Sequence, residues 1–358
     1  MSGRKDSLVI TDAQRRRCEE LYANYRRMVL DPEGSLPAFE IGVPVDRSPG
    51  VGESLHDPRV MLQAHLATLR SHLELGDDHV PSIRVEFGTA QVPAAFGCKM
   101  YVPTNSLPCA GSHVIAKARD VFGMSRPALT AGWYGKVRDF TEIWKEQLPE
   151  GVVIQHPDIQ SPFNNAHLIR GNDILTDFYD DPEAVDALLD LVTDFMIELV
   201  PWLKGMISQD KEWFFDWGAL WKGTARISNC SMHMISPEHY RRFVLPRDTR
   251  LLASIGAGRV HYCGTSGQVI GDFLANPHVT GLDYDTTHHD MWTLSRRTPP
   301  HLPLAQMLGG ADSATVRRLL GGDWPEKRNM IYLLSAPSLD AGRTLLKDLR
   351  ESARRAYK

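Results

Sequence analysis

The fold is decided by the stretch RVHYCGTSGQVIGDFLANPHVTGLDY, residues 259–284, which places a helix between two strand candidates. Residues 259–263 and 279–284 carry the β-branched and aromatic side chains that favour strands. Two strands joined through a helix run parallel, because the crossover returns the chain to the same end of the sheet. This unit predicts an α/β fold built on a parallel sheet.

The same alternation of strand and helix continues along the rest of the chain. Eight strand candidates lie at residues 36–43, 80–87, 152–159, 225–229, 259–263, 279–284, 302–308 and 330–334. Helix starts are marked where a capping side chain precedes proline, at Asp57-Pro58, Asp181-Pro182 and Ser236-Pro237. Eight such units favour a closed barrel over an open sheet, so we predict a single (β/α)8 TIM barrel.

The remaining segments are predicted to elaborate this barrel. Residues 1–34 are expected to form an N-terminal helical extension, and residues 35–358 the barrel itself. Around residues 98–150 prolines and glycines break the rhythm, which predicts a long insertion over the barrel mouth. Trp213, Trp217 and Trp221 recur at four-residue spacing and predict an aromatic face on one helix.

The composition is that of an ordinary globular enzyme. The 358 residues carry a net charge of −4 with 42% hydrophobic side chains, which argues against a disordered chain or a basic nucleic-acid binder. Five cysteines are too few for a disulfide scaffold, and neither a secretory signal nor an apolar run long enough for a membrane span is visible. We therefore expect a cytoplasmic monomer or homodimer that acts on a small molecule, without nucleic-acid or membrane partners.

The sharpest chemical signal is the pair His261 and Cys263. Residues i and i+2 of a strand project to the same face, so this imidazole and this thiol point together. A neutral imidazole and a thiolate at this spacing can share one zinc ion. Thr265 and Ser266 follow, and are predicted to bind substrate at the start of a helix whose free N–H groups favour an anion. A buried histidine beside an inert, packed cysteine is the alternative interpretation.

Further candidates lie within the other predicted strands. Arg226 would be costly to bury unpaired, so it is expected to meet either an anionic substrate or a carboxylate, for which Glu86 is the candidate. Tyr284 and Tyr332 can either donate hydrogen bonds into the barrel mouth or pack as buried aromatic side chains. These residues are our candidates for catalysis and substrate binding.

Several short motifs resemble those of the uroporphyrinogen decarboxylase superfamily. They are ISPEHY at 235–240, VLP at 244–246 and VHYCG at 260–264, supported by Gly88, AAFG at 94–97, SPF at 161–163, Gly171 and GLD at 281–283. The resemblance covers roughly residues 35 to 340 and implies a single (β/α)8 barrel. The His-x-Cys-Gly pattern at 261–264 is fairly specific to the methyltransferase side of that superfamily.

Two departures from the true decarboxylases favour that side. Those enzymes grip tetrapyrrole carboxylates with arginines near the first strand, where this chain has AFEIGV at 38–43 and no arginine until Arg47. Their Gly-His-Gly near the last strand is replaced by LSAP at 334–337. The resemblance therefore implies methyl transfer between a corrinoid and a thiol or other acceptor. The alternatives are a metal-free decarboxylase or lyase that uses Arg226 and Asp283 on a carboxylated substrate, and a non-catalytic barrel that binds a small molecule.

Zinc methyltransferases of this superfamily hold their metal through His-x-Cys and a cysteine beyond the last strand. His261 and Cys263 match the first part, but no cysteine follows Cys263 in this chain. Cys230, at the end of the fourth predicted strand, is the predicted replacement, and His233 is a further nitrogen donor. Asp283 matches an acidic residue of the superfamily that ends the sixth strand, where it would orient substrate, stabilise a cation or cap the loop. The corrinoid is expected on a separate carrier protein, because no cobalamin-binding segment is recognisable.

Overall fold

A computed structural model describes residues 8–45, 50–104, 106–265, 267–284 and 286–358 of the chain. Its strands are β1 (Ala38–Gly42), β2 (Ser82–Ile83), β3 (Met100–Tyr101), β4 (Cys109–Ala110), β5 (Val153–Ile154), β6 (Trp213–Asp216), β7 (Ala219–Lys222), β8 (Ala225–Ser228), β9 (Gly258–Tyr262), β10 (Val279–Tyr284), β11 (Leu304–Gly309) and β12 (Met330–Ser335). Its α-helices are α1 (Asp12–Leu30), α2 (Val51–Ser54), α3 (Pro58–Leu75), α4 (Gln91–Ala95), α5 (Tyr134–Gln147), α6 (Pro162–Arg170), α7 (Ile174–Asp180), α8 (Pro182–Ile207), α9 (Pro237–His239), α10 (Leu245–Ile255), α11 (Ile270–Ala275), α12 (Met291–Arg297), α13 (Ala314–Leu320) and α14 (Leu339–Ala356).

Parallel strands close into a barrel. Six of them form one sheet in the order β1-β12-β11-β10-β9-β8, and each neighbouring pair is parallel. β2 pairs with β5 in parallel, and a parallel bridge between Gln160 and Ser228 joins the segment after β5 to β8. On the other side, the Asp78 N–H donates to the Phe39 carbonyl of β1 across 2.8 Å, just before β2. The predicted strands are all present, and the predicted (β/α)8 TIM barrel is confirmed.

The predicted helix starts are also confirmed, and their caps have the expected geometry. The side chain of Asp57 accepts a hydrogen bond from the Arg59 N–H at the start of α3. Asp181 and Ser236 cap α8 and α9 in the same way, each with proline at the first helical position. A short π-helical turn at Tyr240–Val244 links α9 to α10. These caps satisfy N–H groups that a helix start would otherwise leave unpaired.

The three tryptophans predicted to share one helix lie in a β-hairpin instead. β6 and β7 pair in antiparallel register, and Trp217 and Gly218 form the turn between them at φ of 48° and 67°. Two successive left-handed residues are typical of a type I′ turn, whose twist matches that of a hairpin. The helix prediction is wrong because the four-residue spacing runs across this turn rather than along one helix.

Apolar residues pack on both faces of the barrel strands. The outer core lies between the strands and the helices, and it includes Tyr262, Tyr284, Leu304, Tyr332 and Leu349. The inner core joins the barrel to the hairpin and to α1, and it includes Tyr25, Met28, Ala38, Trp213, Trp221, Ala305 and Ile331. Because Ala38, Ala305 and Ile331 lie near the starts of their strands, the hairpin and α1 close the amino-terminal end of the barrel. The carboxyl ends of the strands are left for the site.

The region predicted as an insertion contains little regular structure among its described residues. β3 and β4 form a short antiparallel pair, a 3₁₀ turn follows at Ala118–Gly123, and α5 comes next. None of the helices that the structure describes is both long enough and apolar enough to span a membrane.

Candidate active site

Three side chains that can ligate a metal meet at the carboxyl ends of β8 and β9. Cys230 follows the last residue of β8 by two positions, His261 lies in β9, and Cys263 follows it. The strands are neighbours with Ser228 opposite His261, so their ends bring the three side chains together. One donor atom from each of the three lies within 4.8 Å of the others, and all three residues are partly buried. We call these residues the donor cluster.

Asp283 of the next strand holds the imidazole of the donor cluster. It lies opposite His261 in the register of β9 and β10, and its Oδ2 atom is 2.6 Å from His261 Nδ1. Burial alone would lower the pKa of His261, but the charge and hydrogen bond of Asp283 outweigh it and raise that pKa to about 9. Because Nδ1 is engaged, Nε2 is the nitrogen available to a metal. A carboxylate behind a histidine in this way is typical of metal sites.

The two thiols of the donor cluster interact with each other. The hydrogen bond with Cys263, together with burial, raises the pKa of the Cys230 thiol well above its usual value. A divalent cation held by these residues would reverse this shift, because both thiols would ligate it as thiolates. One histidine and two cysteines form a known ligand set for catalytic zinc, which leaves a fourth position open. The residues present therefore fit a zinc ion.

Of the two predicted replacements for the missing cysteine, the structure brings only Cys230 into the cluster. His233 is exposed, its Nδ1 lies 2.7 Å from the backbone carbonyl of Cys230, and the described donor cluster does not include it. Cys230 itself is placed by the backbone, because the N–H of Asn229 donates to the carbonyl of His261 across 2.8 Å. The position of Cys230 as a third donor is therefore fixed by the strand pairing that precedes it.

Seven charged side chains fill the barrel interior next to the donor cluster. We call them the interior network: Arg84, Glu86, Asp158, Asp216, Arg226, Arg259 and Asp283. Arg226 contacts Asp158 and also Asp216, its Nε lying 3.1 Å from the Oδ2 atom of Asp216. The prediction that Glu86 is the partner of Arg226 is wrong, because Glu86 pairs with Arg84, two residues earlier.

The remaining links tie this network to the donor cluster. Arg259 is fully buried and contacts Asp216, while its Nη1 lies 3.0 Å from the Oδ1 atom of Asp283. Burial alone would raise the pKa of Asp216, but Arg226, Arg259 and Arg84 together hold it below its usual value. Asp283 thus joins an arginine on one side to the histidine of the donor cluster on the other.

Trp217, at the tip of the hairpin, reaches the centre of this interior. Its ring centroid lies 5.0 Å from the guanidinium carbon of Arg226 and 4.7 Å from that of Arg259. Its ring also meets the His261 ring edge-on, with centroids 5.3 Å apart. The indole therefore stacks against two arginines and contacts one residue of the donor cluster. Because the hairpin enters from the closed end of the barrel, Trp217 forms the floor of the site.

A cavity of about 350 Å³ opens beside the donor cluster, and we call it the site cavity. Its lining includes Cys230, His261, Trp217, Arg226, Asp158, Gln160 and Asn164. A second cavity, of about 180 Å³, lies on the other side of Trp217 and is lined by Arg84, Glu86, His65 and His79. Trp217 is the one described residue that lines both cavities.

Two predicted site residues lie outside this region. Tyr284 and Tyr332 are buried in the outer core, where Tyr284 meets the ring of Tyr262 and Tyr332 stacks on Phe39. The interpretation that they donate into the barrel mouth is wrong, because each alternates with an inward neighbour and points to the helices. The structure shows the alternative interpretation, in which both side chains pack as buried aromatic residues.

The predicted anion site after Cys263 is not a helix start. Thr265 is exposed, Ser266 lies outside the described residues, and α11 begins only at Ile270. Residues 267–269 form a turn ahead of α11, so the prediction that helix N–H groups lie directly after Cys263 is wrong. The carbonyl of Gly264 instead accepts a hydrogen bond from His289 Nε2 at 3.1 Å.

Sequence profiles place the chain in a family. A profile described as uroporphyrinogen decarboxylase (URO-D) matches residues 47–298. The chain belongs to the uroporphyrinogen decarboxylase family. No curated protein matches the sequence significantly. Among solved structures, a methyltransferase from Methanosarcina mazei is similar, with a TM-score of 0.68, 16% sequence identity, and coverage of 94% of this chain and 99% of that one. At this identity the likeness shows the fold, and it agrees with the barrel described above.

Several residues of the site in this family member are absent from the sequence-based predictions. They include Arg84, Asp158, Asp216, Arg259, and Trp217 as the floor of the site. Three of them could have been found from the alternation of side chains along a strand, in which residues two apart point to the same face. Arg259 lies two residues before His261, and Arg84 and Asp158 lie at positions of their strand segments that point into the barrel. Trp217 had no such signal, because its place depends on a hairpin that enters from the opposite end of the barrel.

Proposed function

We propose that this protein is a metal-dependent methyltransferase that methylates a small thiol, with zinc held by Cys230, His261 and Cys263. The observation that carries the proposal is the donor cluster, in which three ligating atoms lie within 4.8 Å of one another beside an open cavity. Zinc bound there would lower the pKa of a thiol in its open fourth position, so that the thiolate becomes the nucleophile.

The chain's own residues prepare this step. Asp283 fixes the ring orientation of His261, and Arg259 in turn fixes Asp283. Trp217 lines the cavity and packs its ring edge-on against the His261 ring, which supports the position of that imidazole. The amides of Gln160 and Asn164, which line the cavity, bond to each other across 2.9 Å and so present a fixed polar wall to the acceptor.

The methyl donor we propose is a corrinoid delivered by a separate carrier protein to the open end of the barrel. The support is the family resemblance and the position of the donor cluster at the carboxyl ends of the strands. Methylcobalamin is the practical probe, and the assay follows formation of the methyl thioether by mass spectrometry. We expect product with wild-type protein and a loss of at least about 100-fold for Cys230→Ser.

Elemental analysis tests the metal directly. Purified protein should carry close to one zinc ion per chain, and Cys230→Ser and Cys263→Ser should each lose most of it. Cys109→Ser is the matched control, because Cys109 is exposed on β4 and lies outside the described donor cluster. Wild-type protein that takes up neither zinc nor cobalt(II) after incubation with the metal would refute the proposed function.

A further inference from the structure

The charges around the site cavity are almost entirely committed to one another. Among the described residues of the interior network, three arginines face four carboxylates. The described cationic side chain that lines the cavity, Arg226, contacts Asp158 and Asp216 and donates to Ser228 Oγ at 2.6 Å. The other group that can carry a positive charge there, His261, is bound to Asp283.

This pairing decides which ligands the cavity can accept. A second anionic group on the acceptor, away from the sulfur that the metal would bind, would meet no cation that is free of a carboxylate among the described lining residues. It would also approach Asp158, which is itself partly exposed. An anion that loses its hydration without gaining a counter-charge is strongly disfavoured. A neutral ligand carries no charge to desolvate, and a cationic ligand offsets the loss of its hydration against the Asp158 carboxylate. The Gln160 and Asn164 amides offer polar contacts to either.

We infer that the acceptor is a neutral or cationic small thiol and not a carboxylated or sulfonated one, an inference that rests on the proposed function. Asp158 is the residue that sets this preference, because it both holds Arg226 and presents a carboxylate to the cavity. Removing its charge would leave Arg226 with one carboxylate partner, Asp216. The part of the guanidinium group that now contacts Asp158 would then have no carboxylate.

The test compares three small thiols that share a two-carbon chain after the sulfur and differ in the charge of the group at its end. They are 2-mercaptoethanol, cysteamine and 3-mercaptopropionate, and their binding to cobalt(II)-loaded protein is followed by the sulfur-to-cobalt absorbance. Each dissociation constant is corrected for the fraction of the thiol that is ionised at the pH of the experiment. We then expect 3-mercaptopropionate to bind about tenfold more weakly than the other two. Equal or tighter binding of 3-mercaptopropionate by the wild-type protein overturns the inference while leaving the proposed function intact.

Two variants test whether Asp158 causes the preference against the anionic thiol. Asp158→Asn should improve the binding of 3-mercaptopropionate relative to 2-mercaptoethanol by about tenfold. Asp177→Asn is the matched control, because Asp177 also pairs with a buried arginine, Arg170, which keeps Asp173 as its second carboxylate. The control should leave the ratio unchanged, and a ratio that moves equally in both variants would assign the preference to something other than Asp158.

Failure of the proposed function would be seen separately. If cobalt(II) gives no absorbance with wild-type protein, the metal proposal fails, and the same three thiols are then titrated calorimetrically against metal-free protein. Weaker binding of 3-mercaptopropionate would still support the charge preference, and equal binding would overturn it. Thermal unfolding of both variants shows that each is folded before its ratio is interpreted.

Discussion

At the scale of single residues, Asp283 is the side chain through which the site is held together. It accepts from His261 on one side and faces Arg259 on the other, and it is almost fully buried. Its carboxylate therefore does two things: it fixes the tautomer of the imidazole and it neutralises an arginine that has no access to water. Even an isosteric substitution of Asp283 should therefore weaken the binding of a metal at the site.

We expect Asp283→Asn to weaken zinc binding by about 10- to 100-fold. The amide keeps the shape of the side chain but loses the charge that raises the basicity of His261 and holds its ring. Competition with a chromophoric zinc chelator measures the affinity, and Asp177→Asn, a charge removal at the Arg170 ion pair, serves as the control. An Asp283→Asn protein that is folded and binds zinc as tightly as wild type would show that this carboxylate does not support the metal.

At the scale of secondary-structure elements, the β6–β7 hairpin determines the depth of the site. It enters the barrel from the closed end, and its turn residue Trp217 lines both the site cavity of about 350 Å³ and the second cavity of about 180 Å³. Trp213 sits on the same hairpin but belongs to the inner core and lines neither of these two cavities. Substituting each tryptophan in turn therefore distinguishes an effect on the size of ligand that the site accepts from an effect on the stability of the fold.

We expect Trp217→Ala to join the two cavities and to admit larger thiols. Phenylmethanethiol should gain about tenfold in affinity relative to 2-mercaptoethanol on the cobalt(II)-loaded variant, since an aromatic ring can then occupy the vacated space. Trp213→Ala should cost about 3 kcal/mol of unfolding free energy, as large-to-small core changes do, without changing that ratio. If Trp213→Ala alters the ratio as much as Trp217→Ala, the hairpin acts through general loosening and not as a floor.

Elements with strong local signals could be predicted from the sequence, and this hairpin could not. The helices that begin at Pro58 and Pro182 follow from a cap and a proline, and the barrel strands from short apolar runs. The Trp217-Gly218 pair is compatible with a tight turn, but nothing local says that the turn is buried among arginines. That environment is supplied by strands far away in the sequence.

At the scale of the whole molecule, the donor cluster could be predicted from the sequence, and the interior network behind it could not. The donor cluster lies on two neighbouring strand ends, so strand order alone was enough to predict that Cys230 meets His261 and Cys263. The interior network joins residues from Arg84 to Asp283 through the hairpin residue Asp216. Its pairing could not be predicted, because a wrong partner such as Glu86 is as plausible from the sequence as the right one.

A buried acid outside the site should leave its mark on the stability of the whole molecule. Asp248 of α10 is 3% exposed, and it accepts a hydrogen bond from Asn229 Nδ2 at 2.9 Å. Burial raises its pKa to about 7, although the bond from Asn229 acts in the opposite direction. The folded protein therefore holds a proton on Asp248 at pH values where the unfolded chain, with an ordinary aspartate pKa near 4, has released it.

The sign of the pH dependence follows from this proton. The contribution of Asp248 is complete below about pH 4 and is lost as the pH rises towards about 7, because folding then requires burial of the charged form. Asp248→Asn, which carries no titrating group, should lack this loss and gain up to about 4 kcal/mol relative to wild type between pH 4 and pH 8. Urea unfolding of both proteins across that range measures the difference, in which titrations common to the two cancel. A difference that is constant with pH would show that Asp248 is ionised in the folded protein throughout, with its charge balanced by the surrounding groups.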